Sequence, residues 1–73
     1  MVIHNFSMSM SSAKCKMLYQ GTVTAIVVTS DSGQTVQIPA MRFRSFVTMN
    51  GIRGRFRLTL DDNNKFLALE KTY

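Results

Sequence analysis

Residues 52–60 read Ile-Arg-Gly-Arg-Phe-Arg-Leu-Thr-Leu, with Ile52, Phe56, Leu58 and Leu60 on one parity and Arg53, Arg55, Arg57 and Thr59 on the other. Successive side chains along a β-strand point to opposite faces. The alternation therefore predicts a strand with one face in the core and one in water. Unpartnered guanidinium groups are too costly to bury, so a sheet built on this strand keeps one side wet. Gly54, on the apolar parity, brings no side chain to the core, which predicts a bulge, a bend or a close backbone approach there.

The rest of the chain has little material with which to close that core. Seventy-three residues make a single domain, 1–73, and a chain of this size buries only roughly 60% of the surface its unfolded form exposes. One cysteine, Cys15, and one histidine, His4, exclude an internal disulfide and a multi-cysteine zinc site. No metal or cofactor is expected. Cys15 reads as a small, partly buried helix residue and His4 as a packed or edge histidine on the apolar side of the first strand. The longest strongly apolar run is Ala25–Val28, far short of the roughly 20 residues that span a bilayer. No basic residue precedes Lys14 and no apolar block follows the N-terminus, which does not fit a signal peptide. The expectation is a cytoplasmic protein without a membrane partner.

Local signals give the element order. Val2 to Met10 alternates as a half-buried strand. Ser11 or Ser12 supplies an N-cap for a short helix that Gly21 ends. Thr22 to Ser30, rich in β-branched residues, predicts a central strand. A three-residue Asp31-Ser32-Gly33 loop pairs Val28 with Val36 and Ile26 with Ile38. Pro39 ends that ladder, and Ala40 to Thr48 lacks strand alternation and predicts a helical turn whose Met41, Phe43, Phe46 and Val47 plug one end of the sheet. Asn50-Gly51 marks a turn, and Asp61–Asn64 turns the last hairpin. A two-residue loop there pairs Leu58 with Leu69 and Arg57 with Glu70; a four-residue loop pairs Leu58 with Leu67 and Arg55 with Glu70. Either register sends Leu67 and Leu69 inward and Phe66 outward. The fold class that follows is α+β, in β-α-β-β-β-β order, with one packed helix and an antiparallel sheet that is curled or closed into a small barrel.

Charge is concentrated. The net charge is +5, yet Lys14, Lys16 and Asp31 leave residues 1–31 at +1, and residues 61–73 sum to −1. Residues 32–60 contain no acid and five arginines: Arg42, Arg44, Arg53, Arg55 and Arg57. Guanidinium forks suit phosphate and carboxylate, so these residues are candidate nucleic-acid or anion ligands. Five phosphate contacts on duplex DNA would give a log–log salt slope near −4.5, from about −0.9 per contact. The plainer reading is a solvated face whose arginine stems cover apolar surface, with one arginine paired to Glu70. An RNA-recognition motif is absent: Arg55 stands where an aromatic belongs, and Phe56 points away from the arginines.

Other chemistry is thin. Asp61 and Asp62 are adjacent and read as turn residues, and no nucleophile has a base and an orienting group. The chain is therefore expected not to be an enzyme. Met41, Phe43 and Met49 are candidate protein-contact residues for a partner or a homodimer. Arg42 and Arg44 are also candidates for holding an anionic small ligand such as a nucleotide.

The segments VQIPAMRFRSFVT, GIRGRFRL and DDNNKFLALEK resemble those of a family of small, mainly gammaproteobacterial proteins, domain-of-unknown-function family 2835. The features that carry the resemblance are Gly21, Pro39-Ala40, Arg44, Phe46, Gly51-Ile52, Gly54-Arg55-Phe56 and Lys65-Phe66, over nearly the whole chain to Lys71. The family pattern has a proline where Ser45 stands. The resemblance implies a stand-alone bacterial cytoplasmic domain and brings no activity or site residues.

Overall fold

A computed structural model describes residues 1–73. The order is β1 (Val2–Met10), α1 (Ser12–Gln20), β2 (Ala25–Thr29), β3 (Thr35–Pro39), a 3-10 helix (Ala40–Phe46), β4 (Ile52–Leu60) and β5 (Phe66–Lys71). The fold is α+β in the expected order, and the strands are antiparallel. They do not close into a barrel: β1-β4-β5 form one sheet and β2-β3 another. Nor is β2 a central strand. It is half of a two-stranded ribbon, which leaves Val27 exposed on the outward side.

The larger sheet is built by the two long alternating segments. β1 runs antiparallel to β4 from Val2 opposite Leu60 to Met10 opposite Ile52. On the inner face His4 meets Leu58 and Phe6 meets Phe56; on the outer face Asn5 meets Arg57, Ser7 meets Arg55 and Ser9 meets Arg53. Both strands thus agree on which side is dry, the condition that fixes a register. Phe6, Ile52, Phe56 and Leu58 are fully buried.

Ile26, Val28 and Ile38 of the ribbon enter the same core. The ribbon register is the expected one, Val28 opposite Val36 and Ile26 opposite Ile38. Its turn is tied to the open edge of β1, where the Asp31 amide donates to the Asn5 carbonyl at 2.8 Å. Ser11 caps α1 by accepting from the Lys14 amide, and Gly21 closes it at φ 74°. The helix buries Cys15 and Leu18 against the core, which is what holds a helix this short.

The segment after Pro39 delivers the last part of the core. Ala40 and Phe43 are buried, with Phe46 and Val47 packed half-buried beside them. Phe43 lies edge-on to both Phe6 and Phe56, with ring centroids 6.4 and 5.9 Å away. Met41, expected to join this plug, is instead exposed.

The last hairpin differs from both expected loops. The Asp61 amide donates to the Lys65 carbonyl and the Asn64 amide to the Asp61 carbonyl, leaving a three-residue loop with Asn64 at φ 64°. The Asp61 carboxylate accepts from the Asn63 and Lys65 amides, which stabilises this turn. A bulge between Thr59 and Leu60 then takes up one residue, so Leu58 stays opposite Leu69 while Leu60 meets Phe66. As a result Phe66 is half-buried against the core, and Leu67, expected inside, is exposed.

Gly51 is the tightest point of the chain. It sits at φ 93°, and a methyl group there would lie 2.0 Å from the Met10 carbonyl oxygen. Gly33, at φ 87°, faces open space. Gly51→Ala is expected to cost about 3–5 kcal/mol, from backbone strain plus overpacking, and Gly33→Ala about 1–2 kcal/mol from strain alone. Phe43→Ala is expected to cost about 3–5 kcal/mol. Urea unfolding of the three variants tests this order, and an equal effect at both glycines contradicts it.

Candidate functional site

On the outer face of the β1-β4-β5 sheet Asn5, Ser7, Ser9, Arg53 and Arg57 are exposed, and the Asp31 turn of the β2-β3 ribbon reaches the face at Arg55. Asn5, Ser7 and Ser9 of β1 lie beside Arg57, Arg55 and Arg53 of β4, and Glu70 of β5 stands opposite Arg57. The face is a row of guanidinium groups flanked by small polar side chains. Its arginines point outward because Ile52, Phe56 and Leu58, on the alternate positions of β4, point inward.

The three arginines of the stripe are not equivalent. Arg55 is locked. Its Nη1 donates to Ser7 Oγ at 2.9 Å and to Asp31 Oδ1 at 3.0 Å, while Nη2 meets Asp31 Oδ2. The expected arginine–carboxylate pair therefore forms, but with Asp31 of the ribbon turn. Arg57 faces Glu70 in the register, yet the ion pairs of the chain are only Arg55–Asp31 and the N-terminal amine with Asp62. Arg53 and Arg57 thus carry no carboxylate.

Arg42 and Arg44 do not join this row. The Arg42 guanidinium lies 4.2 Å from the centre of the Phe66 ring, and Arg44 lies 5.0 Å from that of Tyr19. Phe66 stands opposite Leu60, so Arg42 belongs to the side of the sheet away from the stripe. Exposed stacks of this kind are worth about 0.5–1 kcal/mol, and they occupy a face of each fork. The five arginines thus divide into an outer row and two separate stacked residues.

The candidate protein-contact residues also divide. Phe43 is 0% exposed and belongs to the core, whereas Met41 and Met49 are 66% and 94% exposed. Met41 lies in a shallow groove with Tyr19 and Arg44; Met49 lies at the turn after the 3-10 helix, near Arg53. No three His, Cys, Asp or Glu side chains gather as a metal site. No helix is long and apolar enough to cross a membrane.

Asp31, Ser7 and Lys71 are the site residues that sequence reasoning missed. Ser7 had a signal, since it shares the polar parity of the first strand. Asp31 read only as a turn residue, because its partner lies 24 positions away. Lys71 falls on the inner parity opposite Phe56 yet is exposed.

Residues 3–72 match the family described as Protein of unknown function (DUF2835). The chain belongs to this family. The match covers the arginine face, both hairpins and the helix, so the DUF2835 unit and the folded unit coincide. No curated protein and no solved structure matches the chain.

The Arg55 fork holds the Asp31 carboxyl below its ordinary value, first through the hydrogen bonds and then through the charge, and Asp31 in turn raises Arg55. A depressed carboxylate contributes stability above its unfolded pKa, about 3.9, and that contribution disappears as the pH falls through the lower folded value. The Asp31 side chain, followed by carbon-detected NMR, is expected to titrate below about 3.9 and to return toward that value in Arg55→Gln. An Asp31 midpoint unmoved by that substitution would show that the latch does not form in solution.

Proposed function

We propose that this chain is a non-enzymatic binding module whose open sheet face engages the sugar–phosphate backbone of a nucleic acid, with Arg53 and Arg57 as the ligating residues. The observation that carries this reading is that these two residues are exposed and form no ion pair, on a face that the Asp31 turn reaches at Arg55 between them. Four residue steps along the strand place them about 13 Å apart, at roughly 3.3 Å per residue. Between and beside them stand Asn5, Ser7, Ser9 and Thr59, uncharged groups that donate and accept hydrogen bonds. No aromatic ring lies on this face, so recognition is by backbone charge and not by stacked bases.

A second reading, protein contact or self-association, draws on the exposure of Met41 and Met49; the buried Phe43 no longer supports it. Capture of a nucleotide by Arg42 and Arg44 is weakened by their separate stacks on Phe66 and Tyr19.

Amide NMR titration with short single-stranded DNA and RNA, at low and physiological salt, tests the leading reading. Two contacts give a log–log slope of about −1.4, from roughly −0.7 per contact on a single strand. Arg53→Gln and Arg57→Gln should each weaken binding for every sequence and bring the slope nearer zero by about 0.7. Arg42→Gln and Arg44→Gln should leave the affinity unchanged. Spectra that stay flat with both polymers at low salt overturn the proposal. Shifts that instead track protein concentration and cluster at Met41 or Met49 favour the second reading.

A further inference from the structure

The Arg53 end of the outer face leads into a concavity, whereas Arg57 lines none. There a cleft of about 500 Å³ has Arg53, Lys71, Ser12, Thr48 and Asn50 among its walls, with Phe46 beside them. That volume lies within the range of about 300–1,000 Å³ typical of small-molecule sites.

Its walls are fixed by contacts already described. Gly51 is wedged against the Met10 carbonyl and the start of α1, which holds the Thr48–Gly51 turn in place. Thr48 and Gly51 exchange backbone hydrogen bonds of 2.9 and 3.0 Å. Thr48 Oγ1 donates to the Gly51 carbonyl at 2.8 Å and accepts from the Asn50 amide at 3.2 Å. Four hydrogen bonds thus hold the turn, and the Asn50 side chain takes part in none of them.

Lys71 reaches the cleft because of a missing side chain. It stands opposite Phe56 on the inner parity, and β4 carries Gly54 two residues before Phe56. A methyl group on Gly54 would lie 2.8 Å from Lys71 Cε. The lysine stem therefore passes over Gly54, and Lys71 and Arg53 both line the cleft. No acidic side chain lines this cleft. Of the four acids, Asp31 is held by Arg55, Asp61 caps its own turn, Asp62 meets the N-terminal amine, and Glu70 lies on the outer face beside Arg57.

We propose that this cleft binds a phosphomonoester, the terminal phosphate of a nucleic-acid strand. A monoester carries about two negative charges at neutral pH where a backbone diester carries one, which suits two cations, Arg53 and Lys71, that form no ion pair. The Asn50 amide and the Ser12 hydroxyl supply neutral donors, and the remaining volume takes the sugar attached to the phosphate. The proposal rests on the sheet-face reading for the polymer and adds a preference for strand ends.

The test titrates the intact chain with one oligonucleotide sequence in three forms: 5′-phosphorylated, 3′-phosphorylated and unphosphorylated. Inorganic phosphate and a nucleoside monophosphate are titrated in parallel, all followed by amide NMR. A terminal phosphate at one of the ends is expected to tighten binding about tenfold, the effect of adding charge-assisted hydrogen bonds at a partly exposed site. Lys71→Gln should erase that preference, so that phosphorylated and unphosphorylated strands bind that variant alike, and Lys71→Arg should retain it. Arg57→Gln should weaken all three strands equally. Lys71 is exposed, and the amide dispersion of each variant verifies its fold.

Equal affinity for the three strands overturns the cleft and leaves the sheet face standing. If no strand binds but inorganic phosphate or the monophosphate shifts the Ser12 and Asn50 amides, and Lys71→Gln removes the shifts, the phosphate site stands and the polymer reading fails. Flat spectra with every probe overturn both.

Discussion

The pairing of Phe6 with Phe56 is the contact on which the rest of the structure depends. The two residues are directly opposite in the β1–β4 register, and their rings stack at 18° with centroids 5.7 Å apart. Phe43 and Phe46 come edge-on to Phe56, the latter at 5.2 Å. Such aromatic contacts add about 0.5–1.5 kcal/mol each beyond burial. Their larger consequence is parity. A slip of one residue would move every side chain of β4 to the other face and drive Arg55 or Arg57 into a space shaped for a phenyl ring. The arginine row is outside because these rings are inside.

That parity was legible in the sequence, because it needs only the alternation of two nine-residue segments. The ribbon register was legible for the same kind of reason: Ile26, Val28, Val36 and Ile38 agree with one loop length and no other signal competes. The second hairpin was not. Asp61 can cap its own turn through its side chain, and that local bonding favours a three-residue loop, with the bulge that leaves Leu67 exposed. Residues 40–48 were legible as a break in alternation, but their arginines were not. Their stacking partners come from α1 and β5, elements distant in sequence, and no local pattern announces such contacts. Glu70 looked like the partner of the stripe because it is a near neighbour in a predicted hairpin. Asp31 took that role because the ribbon turn docks on the edge of β1.

The Asp31–Arg55 latch therefore does more than neutralise one charge. Together with the Asp31 amide bond to the Asn5 carbonyl, it fastens the ribbon turn across β1 and onto β4. Both halves of the fold are tied at one point on the exterior as well as through the shared core. An exposed pair is worth little energetically. Its geometric effect is to divide the row, leaving one free guanidinium at each end of a face whose middle is neutral.

The two ends then differ because of what lies behind them. At the Arg57 end the inner face is filled by Leu58 and Leu69, which pair across β4 and β5. At the Arg53 end the corresponding inner position is Gly54, opposite Met8, with no side chain of its own. A glycine inside a strand weakens it, and its φ of 144° is one that other residues rarely adopt. The sheet accepts that weakness where the C-terminal residues cross: the Thr72 amide donates to the Arg55 carbonyl at 2.9 Å, and Lys71 lies over the gap. A bulkier residue at 54 would repair the strand locally but displace Lys71 and the C-terminal backbone together. The Lys71 stem thus lies where it does because of how the strand is built, since it occupies the space that a side chain at position 54 would need.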